Sequence, residues 1–157
     1  LISEEDMVKQ ASEFAGTVPV RHLLPYWKTS NRYLFSGGSV NMRDAAVYAK
    51  EENWSKAVEL WKQTYETKKG KQKMYAAYNT ALGYEMQDSI DTALEWALKA
   101  QTLAREKSKT DKKETGEIHD GTISYYIFIS MYVDELEKRK EGMARLNMQM
   151  NRFDDDF

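Results

Sequence analysis

The stretch Glu51–Trp61, EENWSKAVELW, is echoed 36 residues later by DSIDTALEWA at Asp88–Ala97. At that offset Ala57 falls on Ala93, Val58 on Leu94 and Glu59 on Glu95. The match extends upstream and downstream: Ala45 falls on Ala81, Tyr48 on Tyr84, Trp54 on Ile90 and Thr64 on Ala100. A fixed offset of this size is the signature of a helical-hairpin repeat. One hairpin cannot bury both of its faces, so copies stack and share a core. Small residues are needed where two helices cross closely, and aromatic or aliphatic side chains fill the space beside them.

No segment alternates apolar and polar residues over a sustained run, so the reading is all-α, with about seven helices in a single domain over 1–157. Helices are expected at Ser3–Ala15, from Thr17 with Pro19 in its first turn, at Asn41–Glu51, Trp54–Thr67, Gln72–Gln87 and Ile90–Glu106, and from Thr122 past Met150. Residues 1–39 are the N-terminal helices and 40–106 the two repeats. Residues 107–121 (with KSKTDKKETGE at Lys107–Glu117) form a polar linker, and 122–153 the long C-terminal helix. Only 8 Gly and 2 Pro among 157 residues suit long helices better than a sheet. A formal charge of −2 gives no pull toward nucleic acid. With no Cys, disulfides, thiolate metal sites and a Cys nucleophile are excluded. The chain opens on Leu1, which reads as a processed or truncated piece, and LISEED matches either a native helix start or an epitope-tag remnant.

AAYNTALGYEMQDSIDTALEWALKA carries small, aromatic, small and small residues at Ala81, Tyr84, Ala93 and Ala100. This spacing resembles the tetratricopeptide repeat (TPR), whose period is about 34 residues. The turn carries Asp88 instead of the usual Gly, the closing Pro is absent, and the resemblance spans Val40–Glu106. It implies a TPR-like superhelix in which the first helix of each hairpin lines a concave face. On that register the face carries Met42, Arg43, Ala46 and Lys50, then Tyr75, Tyr78, Asn79, Leu82 and Met86. Asn79 falls where peptide-binding members place an Asn that holds the ligand. The cations of a carboxylate clamp do not appear, since their positions hold Met42, Ala46, Asp111 and Thr115. A longer stretch, with Pro25, Tyr26, Trp27, Arg32, Tyr33, Trp54, Ala57 and Trp61, resembles the C-terminal part of an uncharacterised family of bacterial cell-envelope lipoproteins. That resemblance implies a cell-envelope location, with membrane association only through an N-terminal lipid anchor.

Catalytic and metal signatures are weak. SGGS before a helix lacks the Lys-Ser/Thr of a P-loop and reads as a turn, with Asn41 as cap and Asp44 as its partner. His22 and His119 have no second ligand at helical spacing. Glu59 and Glu95 repeat because the architecture repeats, and read as solvated faces. The four Trp read as core or inter-repeat filler. Two basic segments, Lys68–Lys73 and Arg105–Lys113, are expected on one edge, where helix C-termini favour cations.

The final helix is more specific. Ile129, Tyr132, Leu136, Met143, Leu146, Met150 and Phe153 recur at spacings of three and four, with Arg139 the one polar break. This is a heptad seam. Its first half should cap the repeat core. Met143, Leu146, Met150 and Phe153 either dock on a partner helix or a second copy, or fold back on the first two helices. The sequence therefore points to a non-enzymatic protein- or peptide-binding scaffold that needs no cofactor or metal. Tyr75, Tyr78, Asn79, Leu82, Met86, Met143, Leu146 and Met150 are the candidate contacts. The alternatives are a structural support domain of a larger lipoprotein and a helical hydrolase using carboxylates.

Overall fold

The computed structural model describes residues 17–23, 29–115 and 125–155. The first expected helix, Trp27, His119 and the end of the expected linker lie outside them. Two strands, β1 (Thr17–Leu23) and β2 (Thr29–Phe35), precede five helices. These are α1 (Val40–Lys50), α2 (Trp54–Thr67), α3 (Lys71–Met86), α4 (Ile90–Thr115) and α5 (Tyr125–Asp155). The described chain is thus mainly helical, as expected.

The segment from Thr17 is not a helix. It is one arm of an antiparallel hairpin in which Val18 pairs with Leu34, Pro19 with Tyr33 and Val20 with Arg32. Thr, Val, Tyr and Phe are strand formers, and a two-stranded sheet is all edge, where Pro is tolerated. Such a ribbon is marginal alone. It is held by packing, because Leu34 and Phe35 at the end of β2 are 1% and 0% exposed against the helices.

Short connections make α1 to α4 antiparallel neighbours, with α1 on α2, α2 on α3, α3 on α4 and α4 on α5. Ser39 caps α1, accepting from the Met42 amide at 3.4 Å, so the expected Asn41 cap is displaced by two residues. Gly38, at φ +112°, makes this turn, and a Cβ there would collide with the Gln72 amide. Asn53 caps α2 by accepting from the Lys56 amide. The small residues of the repeat are all interior: Ala45, Ala57, Ala81, Ala93 and Ala100 are 0% exposed and Thr64 1%. Trp61 is fully buried among them, while Trp54 and Trp96 are half-buried at its margin.

α3 is the central helix, buried from Met74 to Gly83 and again at Glu85. A helix apolar and small-sided all round has no solvent face. α4 runs on through Lys107–Thr115, where a polar linker is expected from the sequence, because Lys and Glu are good helix formers and Lys107 and Asp111 stand at i, i+4 spacing. The second basic segment is therefore part of a helix rather than a turn.

Candidate functional site

The side chains expected to line an open concave face are interior. Tyr75, Tyr78, Asn79 and Leu82 are 4%, 2%, 0% and 0% exposed, and Met86 is half-buried. Met42 and Ala46 are buried too, while Arg43 and Lys50 are exposed. What covers α3 is the chain itself. The Phe35 amide donates to Asn79 Oδ1 at 2.9 Å, and Asn79 Nδ2 donates to the Phe35 carbonyl at 2.7 Å. One carboxamide thus satisfies both main-chain groups of a residue at the end of β2, as a ligand-holding Asn would for an extended peptide. The Phe35 ring stacks on Tyr75 at 4.2 Å and meets Tyr78 edge-on at 5.2 Å. From the far side, α5 adds Tyr125 and Phe128, each 6.1 Å from Phe35. The Tyr75 and Tyr125 hydroxyls lie 2.7 Å apart.

Beside this aromatic cluster sits a buried ion network. Glu85, fully buried, accepts from Arg32 Nε at 2.9 Å and from its second nitrogen at 3.2 Å. Arg139 approaches the other side of the carboxylate at 3.2 Å and also donates to Asp88 at 3.0 Å. The Tyr132 hydroxyl donates to Glu85 at 3.3 Å. Burial disfavours the Arg32 charge, but its hydrogen bond and attraction to Glu85 outweigh this and raise its pKa. Burial, reinforced by Glu85, pushes the Tyr132 phenol well above its ordinary value. Burial likewise raises Tyr78 and Tyr75, with Tyr125 adding to the latter. Each carboxylate oxygen of Glu85 thus faces a guanidinium, while Arg139 Nε and Nη1 are buried without a hydrogen bond. Sequence reasoning gave Glu85 no role and named Arg32 only among the residues of the lipoprotein resemblance. Their one signal was Arg139, the polar break in the seam, which is 6% exposed at its place on α5.

The seam divides at that residue. Ile129, Tyr132 and Leu136 are buried against the repeats. Beyond Arg139, every residue from Lys140 to Asp155 is exposed except Met143, which is half-buried. Leu146, Met150 and Phe153 are 43%, 58% and 65% exposed. The other sequence candidates stay at the surface: Glu59 and Glu95 are exposed. Glu59 joins Lys62, Gln63, Glu66 and Trp96 in an open depression of about 720 Å³ on α2 and α4. Lys62 and Lys99 already lie over the Trp96 ring there, at 5.8 and 4.1 Å. Among the described residues no group of three or more His, Cys, Asp or Glu could hold a metal ion, and no helix is long and apolar enough to cross a membrane.

These features define a mainly helical chain in which β2 packs on α3 and the last helix runs past the buried core. The chain belongs to the family described as domain of unknown function DUF6340, which matches residues 43–138. Residues 1–35 match a second family, domain of unknown function DUF8603. The boundary between the two falls just after β2, whose last residue is the one Asn79 holds. No curated protein and no solved structure matches the chain.

Proposed function

We propose that this chain is a non-enzymatic, TPR-like interaction module that docks a protein partner on the second half of α5. One observation carries the reading: beyond Met143 every described residue of α5 is exposed, yet the helix continues the apolar seam through Leu146 and Met150 into solvent. Exposed apolar side chains in a continuous row mark interaction surfaces, and a helix presenting them at i, i+3, i+4 spacing docks on a groove or another helix. The repeats hold this helix in place by burying Phe128, Ile129, Tyr132, Val133 and Leu136. The saturated Glu85 supports a non-catalytic reading.

The groove is the weaker docking candidate. Removing β2 from it would expose Phe35 and strip Glu85 of Arg32. A second reading, structural support within a larger envelope lipoprotein, draws on that closed groove and on the resemblance to such lipoproteins. A cell-envelope location is part of the proposal on the same ground.

A photo-crosslinking residue at position 146, in cells making the protein, tests the docking surface. The expected result is a covalent adduct with another polypeptide chain, reduced when Met150 is also changed to Asp. Absence of any adduct at 146, with adducts at an exposed repeat position such as Val47, would reject it.

A further inference from the structure

The overhang also specifies what covers it, given the reading that this seam is a docking surface. In the heptad, Met143 and Met150 take one core position (a) and Leu146 and Phe153 the other (d). In an antiparallel pair, a residues face d residues of the second helix. One alignment of two copies uses all four. Met143 then meets Phe153 of the second copy, and Leu146 meets its Met150. Sliding one heptad inward would require Leu136 and Arg139, which are already buried in their own chain at 0% and 6% exposure. Sliding one heptad outward leaves only Met150 and Phe153 in contact.

Charge selects the same alignment. Lys138, Lys140 and Arg145 stand against Glu137 and Glu141 around the near end of the overhang, and Asp154 and Asp155 outnumber Arg152 at its far end. Asp154 and Asp155 face the negative end of their own helix dipole, an unfavourable placement that Arg152 in the same turn offsets only in part. In the antiparallel alignment Lys140 and Asp154, both at flanking e positions, come opposite each other, twice by symmetry. Such flanking charges set orientation in helix pairs. A parallel pair sets e against g positions, which leaves Asp154 beside Gln149 of the second copy with no cation opposite it. Geometry agrees, because antiparallel pairing over about 16 residues, roughly 24 Å, leaves the two repeat bodies at opposite ends.

We propose that the occupant of the seam is a second copy of this chain, joined through residues 140–155 as a symmetric antiparallel helix pair. Four core layers make a small interface, so association is weak, in the micromolar range. Sedimentation equilibrium of the purified chain, from low to high micromolar, tests it. The wild type is expected to approach twice the chain mass, and Leu146→Asp/Met150→Asp to stay at chain mass while its circular dichroism keeps a folded core. Lys140→Asp alone and Asp154→Lys alone should each weaken association about tenfold, and the double swap should restore it. Lys140 also pairs with Asp91 at 2.8 Å, so Asp91→Asn serves as the control and should leave association unchanged. A wild type at chain mass throughout overturns the proposal, as does a dimer whose double swap fails to recover. With a monomeric wild type, an adduct at position 146 to a different protein keeps the docking reading. An adduct within the same chain, or none, removes both.

Discussion

Asn79 and Phe35, 44 residues apart in sequence, hold each other through two hydrogen bonds of 2.9 and 2.7 Å between one side-chain amide and one peptide backbone. The consequence is that the end of β2 already occupies this face of α3. Asn79→Ala would leave the Phe35 amide and carbonyl buried without partners. Each such group costs about 1–3 kcal/mol, so a loss of about 2–5 kcal/mol is expected. A urea melt of the variant beside the wild type measures it. Asn79→Asp should be destabilising too, because it keeps the acceptor and loses the donor.

The charge cluster makes an asymmetric prediction. Glu85→Ala leaves Arg32 and Arg139 facing each other across a buried space, and removing one partner of a buried ion pair costs about 3–5 kcal/mol. Arg139→Met leaves Glu85 with its bidentate Arg32 and a Tyr132 hydrogen bond, so it should cost less. Denaturant midpoints of the two variants give the order. An Arg139→Met more damaging than Glu85→Ala would contradict the geometry.

Two glycines should respond with opposite signs. A Cβ on Gly83 would fall inside contact distance of Val58 and 3.2 Å from the Trp61 ring, where α2 crosses α3. Gly142, on the overhang of α5, would meet nothing within 4 Å. Gly83→Ala should therefore destabilise by about 1–3 kcal/mol despite its better helix propensity. Gly142→Ala should raise helicity, with a gain of up to about 1 kcal/mol. Thermal melts followed by circular dichroism separate them.

How much of this was legible follows from where each signal lies. The repeat was readable because Ala45/Ala81 and Ala57/Ala93 recur at one offset, and every one of them is fully buried. Tyr75, Tyr78 and Asn79 were expected on an open concave face, and the structure buries them instead against β2 and α5. The partner strand of β2 carries Pro19 at a spacing that reads equally well as a helix start. Local pattern could not choose between these, because tertiary packing on Phe35 decides it. The Glu85 cluster was invisible for a related reason: three residues at 32, 85 and 139 become neighbours only after folding. Arg139 alone betrayed it, by interrupting an apolar seam. The seam beyond Arg139 was legible as a heptad, but whether it docks on a partner or folds back was not, since a heptad does not say what covers it.

Alkaline pH offers a test of the buried phenols. In the folded chain Tyr75, Tyr78 and Tyr132 all hold their protons to higher pH than the ordinary phenol value, chiefly through burial. The unfolded chain releases them near pH ~10. Their contribution to stability is therefore complete below that value and is lost as pH rises through the window above it. Urea midpoints should be flat with respect to these groups up to about pH 9 and fall beyond about pH 10. Tyr78→Phe should make that fall shallower. Absorbance of phenolate should show this subset titrating only as the chain unfolds.

The central claim is that β2 closes the groove and leaves α5 as the docking surface. Amide hydrogen exchange on the dilute chain addresses it most directly. The account predicts that the Phe35 amide exchanges as slowly as the core of α3, while amides beyond Met143 in α5 exchange fast and slow down as concentration rises. A fast Phe35 amide, with slow exchange along the end of α5 at every concentration, would mean an open groove and a covered helix, and would contradict it.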